Sequence, residues 1–354
     1  MHEKFAPDLS GPAVACPYCD SNETELFSLF GQQLLTLQYY CHTCHTPFEY
    51  VKDNDIHDRQ EATQVDGSSV SQVNHNGVFY HRKEEHFMTT TTERILVNYT
   101  TADGVALIEL ANPPANTYSY EMMTQLDAAI LKARFDESVH VLVLRGQGDK
   151  FFSAGAEISM LNAVTPTFKY YFCLHANETL TRLEQTPKLV IAALNGHTVG
   201  GGLEIALACD IRIAQRNPKS KVGLPEVNLG VLPGTGGTQR LARALPKNKA
   251  IEMMTEGKLI SFEEALELGL LNYIYEPEHY WDEIMVYAKS FCPPNKASKA
   301  VGRIKRSVQS GSEVSFSESL AIERELQQLL FQSEDAKEGI AASTEKRKAN
   351  FSGR

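Results

Sequence analysis

Two glutamates and two cysteine pairs carry most of the chemistry this chain is able to do. Glu204 stands in NGHTVGGGLEIALACD (residues 195–210), one turn into a glycine-started helix; Glu226 stands in GLPEVNLGVLPGTGGTQRL (residues 223–241), after a proline and ahead of a glycine-rich turn. Two carboxylates sharing a dry cleft drive their pKa values apart, so one accepts a proton while the other donates one. Upstream, FFSAGAEI (residues 151–158) sets small residues between a strand and a helical pattern, where backbone amides approach a ligand closely. Its Ser153, Ala154 and Gly155, with Gly200 and Gly234 of the later stretches, are candidates for contact with a bound ligand. Two strand–glycine–helix loops on neighbouring units can aim a pair of N–H groups at one carbonyl oxygen and stabilise the negative charge that develops there.

The cysteines suggest a second centre. Cys16 and Cys19 are followed by 21 residues and then Cys41 and Cys44, giving C-x2-C-x21-C-x2-C. That spacing is close to a zinc ribbon, in which two hairpin knuckles place four thiolates around Zn2+. The second pair with His45 also spells C-x-x-C-H, the c-type haem spacing. That reading leaves Cys16 and Cys19 idle, so the four-cysteine reading is preferred. Four thiolates accept iron as well as zinc, and His42 or His45 is able to replace one cysteine. A segment this short cannot bury enough core to fold alone, and a structural metal supplies the missing stability.

These candidates need elements to position them. The 354 residues are 42% hydrophobic and 22% charged, ordinary values for a globular protein. Three textures follow one another: a cysteine-rich head over residues 1–52, a polar linker over 53–92, and a long body. In the body, Gly104–Leu110, Val139–Gly146, Lys188–Gly196 and Asp210–Ala214 read as strands. Ser119–Phe135, Tyr170–Glu184 and a segment from about Gly201 read as helices, and Ser261 with Glu264 makes a capping box. From Tyr280 onward the pattern is helical. The net charge is −10, and residues 1–93 carry −9 of it, with five basic against fourteen acidic side chains. No basic stripe for nucleic acid is present, and no apolar run reaches the length of a membrane span. The start lacks an apolar leader and the cysteine count is odd, so a cytoplasmic protein with reduced thiols is expected.

Taken together, SAGAE, GGGLE and PEVNLGVLPGTGGTQRL resemble the crotonase superfamily, the enoyl-CoA hydratase/isomerase family, from about Glu93 to the C-terminus. The resemblance implies an α/β fold, a spiral of ββα units (93–290) with a helical C-terminal trimerisation region (291–354). It implies an acyl-CoA substrate, no cofactor for catalysis, and a homotrimer or hexamer. By motif position, the amides of Ala156 and Gly201 would hold the thioester oxygen. Glu204 would orient and deprotonate the water that attacks C3, and Glu226 would protonate C2. Relatives that only shift a double bond commonly keep the later carboxylate alone, so the pair favours hydration over double-bond or ring isomerisation. Departures from the family are Glu157 in place of Asp, the longer RNPKSK segment (residues 216–221), and ANPPANTYSYEMM (residues 111–123) in place of an Asn-Ala-Leu motif. They touch the pocket rim and so bear on the acyl group more than on the reaction.

The remaining candidates read as structure. His197 is expected as a satisfied strand-end histidine, Cys173, Cys209 and Cys292 as small buried hydrophobes, and Lys346 and Lys348 as a solvated face. The head, in ACPYCDSNETELFSLFG and YYCHTCHTPFEYVK, is similar to the zinc ribbon of the accessory protein of the bacterial phenylacetyl-CoA oxygenase system. This implies aromatic, phenylacetate-type acyl-CoA breakdown as a setting, beside fatty acyl-CoA degradation; the alternative of another class is that the ribbon is a docking module for a metabolic partner protein.

Overall fold

The computed structural model describes residues 14–16, 19, 21–28, 36–45, 47–51 and 94–354; the expected polar linker over 53–92 lies outside them. The chain divides into two units, residues 1–87 and 88–354.

In the first unit, β1 (Thr24–Ser28), β2 (Thr36–Cys41) and β3 (Pro47–Val51) form an antiparallel sheet in that order, with Thr24 opposite Cys41 and Thr36 opposite Val51. Cys16, Tyr39 and Cys41 are its buried apolar residues among those described.

In the second unit, β4 (Val97–Ala102) and β5 (Val105–Leu110) make a hairpin followed by α1 (Tyr120–Phe135) and β6 (Val141–Gly146). Then come β7 (Phe151–Ser153), α2 (Ile158–Ala163), α3 (Pro166–Glu184), β8 (Leu189–Leu194), β9 (His197–Val199), α4 (Gly201–Leu207), β10 (Ile211–Gln215) and β11 (Val222–Gly223). A 3-10 turn spans Glu226–Leu229, ahead of α5 (Gly237–Ala244), α6 (Lys247–Glu256), α7 (Phe262–Glu267), β12 (Tyr273–Tyr275) and α8 (Tyr280–Lys289). Three further helices end the chain: α9 (Ser298–Gly311), α10 (Phe316–Phe331) and α11 (Glu334–Glu345).

The larger sheet runs β12-β10-β8-β6-β5-β4, parallel except for the β4–β5 hairpin, and a smaller parallel sheet runs β11-β9-β7. After the β4–β5 hairpin, each strand pair (β6–β7, β8–β9, β10–β11) places one strand in each sheet. The larger sheet is covered on both faces: Leu142, Leu144, Val190, Ala192 and Leu194 enter one core, and Val141, Val143, Ile191 and Ala193 enter the other. Burial on both sides is why these strands read as unbroken apolar runs rather than as alternating ones.

Helix starts follow their caps. Ser119 accepts from the Met122 amide at the head of α1, Thr165 from Phe168 ahead of α3, whose first residue is Pro166, and Ser261 from Glu264 ahead of α7, each satisfying an amide that has no intrahelical partner. Among the described residues no helix is long and apolar enough to cross a membrane.

Candidate active site and metal centre

The site begins at the β7–α2 and β9–α4 loops. Gly155 has φ +89°, and a Cβ there would come within 2.6 Å of the Gly201 nitrogen, so only glycine lets the two loops approach this closely. Ser153 fixes the first loop from behind: its hydroxyl donates to Asn116 O (2.8 Å) and accepts from the Gly155 amide (3.1 Å). On either side of Ala156, Tyr118 N donates to Gly155 O and Glu157 N to Tyr118 O. The Ala156 amide itself, and that of Gly201 at the head of α4, take no partner among the described residues.

These loops open on a cavity of about 520 Å³ whose wall includes Ala154, Ala156, Gly200, Gly201, Glu204, Glu226 and Gly234. Ser153 and Gly155 are not among the residues lining it; the Ser153 hydroxyl is engaged with Asn116 O and the Gly155 amide, and Gly155 packs against Gly201.

The two glutamates differ in their surroundings. Glu204 is 2% exposed, on a helix whose seven residues are all buried. Its Oε1 accepts from the amides of Thr235 (2.8 Å) and Gly237 (2.7 Å), and its Oε2 from the Thr235 hydroxyl. Every partner is a donor, which suits an acceptor-only carboxylate. Glu226, at the start of the 3-10 turn, is half-buried and its Oε2 is enclosed without a hydrogen-bond partner. Burial pushes its carboxyl up to about 7, Glu204 adds to the rise, and its own amide and Lys169 oppose it. An acceptor-ready carboxylate and a carboxyl poised to carry a proton thus share one cavity with two free amides. The arrangement can move a proton off water, place one on carbon, and hold an oxyanion.

Thr235, Gly237, Tyr118 and Lys169 are parts of this site that sequence reasoning passed over. The first two lie in the glycine-rich turn, where the sequence singles out Gly234 alone. Tyr118 lies in ANPPANTYSYEMM, noted only as a departure. His197 begins β9, with Nδ1 accepting from the Lys221 amide at 3.1 Å; Cys209 and Cys292 are buried, while Cys173 is only partly so. Lys346 and Lys348 are exposed.

In the first unit the sulfurs of Cys16, Cys19, Cys41 and Cys44 all lie within 4.8 Å of one another. The Cys16–Cys44 and Cys19–Cys41 pairs are 3.6 Å apart. Tetrahedral ligation at about 2.3 Å per Zn–S bond requires sulfurs about 3.8 Å apart, so the donor set fits a metal of that size. His42 instead faces Glu25, at 3.0 Å.

A carboxylate pair under free backbone amides defines an acid–base enzyme for a carbonyl compound, carried on a two-sheet α/β spiral. Comparison with known proteins gives the family: residues 100–354 match the model described as enoyl-CoA hydratase/isomerase, and the chain belongs to that family. Residues 2–52 match the PaaD zinc beta ribbon domain. A probable enoyl-CoA hydratase of Bacillus subtilis is 38% identical over 70% of this chain and 95% of its own length. A crotonyl-CoA hydratase of Syntrophomonas wolfei is 34% identical over 70% and 95%. The crystal structure of an enoyl-CoA hydratase from Geobacillus kaustophilus superposes with TM-score 0.72 at 43% identity, covering 74% of this chain and 98% of that one.

Proposed function

We propose that the protein adds water across the 2,3 double bond of an enoyl-CoA thioester to give the 3-hydroxyacyl-CoA, with Glu204 and Glu226 as the acid–base pair. The observation that carries this is their asymmetry within one cavity: Glu204 accepts three hydrogen bonds, and Glu226 holds an unpartnered, enclosed oxygen and a carboxyl raised to about 7. The Ala156 and Gly201 amides hold the thioester oxygen, so charge pushed onto it by attack at C3 is stabilised as it forms. Glu204 orients the water and takes its proton. Glu226 gives its proton to C2 of the enolate.

Replacing Glu204 with Gln tests the roles. Loss of conjugated thioester absorbance on crotonyl-CoA should slow by about 10²–10⁴-fold, the usual contribution of a positioned general base. An isomerase working through Glu226 alone would keep its rate, and hydration at the original rate would remove Glu204 from the mechanism.

The four-sulfur geometry and the ribbon match support a structural Zn2+ in the head. The C-terminal helices α9–α11 are read as the trimerisation region of a homotrimer or hexamer. The same ribbon match supports a setting in aromatic, phenylacetate-type acyl-CoA breakdown, with the ribbon docking a protein partner; a cytoplasmic location belongs to the same reading.

A further inference from the structure

Tyr118 sits where three parts of the site meet. Its backbone brackets Ala156, with Tyr118 N bonded to Gly155 O at 2.9 Å and Glu157 N to Tyr118 O at 3.0 Å. Its ring lies against Gly201 so closely that a Cβ there would stand 2.1 Å from the phenol oxygen. Its hydroxyl is 3.4 Å from Thr235 Oγ1, both groups buried. Thr235 has one hydroxyl hydrogen, and it goes to Glu204 Oε2, so Thr235 can only accept from Tyr118. The chain of donation therefore has one direction, from phenol to threonine to carboxylate. Burial first, and the Glu204 charge second, keep the phenol well above its ordinary pKa, so Tyr118 remains a donor through the working range.

We propose that Tyr118 and Thr235 are positioning residues for hydration: Tyr118 ties both oxyanion amides to Thr235, and Thr235 fixes the carboxylate of Glu204. The inference rests on the acid–base reading of Glu204 above. A buried tyrosine serving packing alone needs no directed hydroxyl chain, and phenylalanine would fill the same space. What the hydroxyls add is a fixed distance between the place where charge collects on the thioester oxygen and the carboxylate that orients the attacking water. Displacement of either by a fraction of an ångström lowers the rate more than the affinity, because alignment counts in the transition state.

The test uses the full chain and crotonyl-CoA, with Thr235→Val, Thr235→Ser, Tyr118→Phe and the Tyr118→Phe/Thr235→Val double variant beside Glu204→Gln. Valine keeps the threonine's shape and backbone amide and removes only the hydroxyl. Expected for Thr235→Val is a kcat lower by about 10- to 100-fold with KM within about threefold, the size of one lost hydrogen bond to a charged group. Thr235→Ser should recover kcat to within about threefold, and Tyr118→Phe should lower it by about 3- to 10-fold. Because both hydroxyls act on one carboxylate, the double variant should be no slower than Thr235→Val alone. A wild-type kcat in Thr235→Val, an effect confined to KM, a serine variant as slow as the valine one, or additive losses in the double variant would each overturn the proposal. Glu204→Gln separates the two levels: if it hydrates at the wild-type rate, the acid–base reading has failed, and if it slows by about 10²–10⁴-fold while Thr235→Val keeps the wild-type kcat, only the positioning role has.

Discussion

Glu204 and Glu226 are the same amino acid facing one cavity, and their hydrogen-bond surroundings differ: three donors hold Glu204, while one oxygen of Glu226 is enclosed without a partner. Glu226 must carry a proton to deliver it to C2. With its carboxyl pushed up to about 7, chiefly by burial, it is protonated below that pH and ionised above it. The free enzyme's kcat/KM for hydration should therefore hold on the acid side and fall as pH rises through about 7. Lys169 opposes the rise, so Lys169→Met should move the alkaline limb to higher pH, and the residual activity of Glu226→Gln should lack it. A profile flat from about pH 6 to 9 would show that Glu226 is not the donor. The two glutamates were legible in the sequence because each sits in a short, dense context of glycine and proline. Thr235 and Tyr118 were not, because their partnership is made across 117 positions and neither carries a local pattern that announces it.

At the scale of elements, strands buried on both faces announced themselves as apolar runs, and most of β5, β6 and β8 was readable within a few residues. The smaller sheet was not, since β7, β9 and β11 are three, three and two residues long, too short for any period to register. Yet that sheet carries the loops of the site, and α4 is seated on it by glycine. A Cβ on Gly202 would stand 2.1 Å from the Ser153 carbonyl oxygen, a backbone atom with no rotamer to escape into. Gly202→Ala should thus push α4 off β7, separate the Gly201 and Ala156 amides, and lower both Tm and kcat, the stability loss being about 1–3 kcal/mol by the usual cost of overpacking. Gly148→Ala, at a glycine with open space around it although its φ is +85°, is the control for backbone strain without a clash. Should Gly202→Ala melt and turn over like Gly148→Ala, the close seating of α4 is not what fixes the amides.

The whole molecule joins a domain of the enoyl-CoA hydratase/isomerase family to a small sheet that matches a zinc ribbon. All the residues assigned to hydration fall between Tyr118 and Gly237, and all the sulfurs of the metal centre lie between Cys16 and Cys44. We predict that metal binding and hydration are separable in this chain. The full-length protein should bind a single zinc equivalent, as a four-thiolate site does. A mercurial reagent should release it to a colorimetric chelator, and Cys16→Ser or Cys41→Ser should abolish that signal, because each removes a buried ligand whose absence leaves an open tetrahedron. In the same preparations kcat and KM on crotonyl-CoA should stay within about twofold of the wild type, since no step of the acid–base chemistry passes through the metal. A fall in kcat that tracks zinc content would join the two units functionally and would overturn the separation. Unchanged turnover with zinc lost places the ribbon's use outside the reaction, as the proposed docking of a partner protein requires.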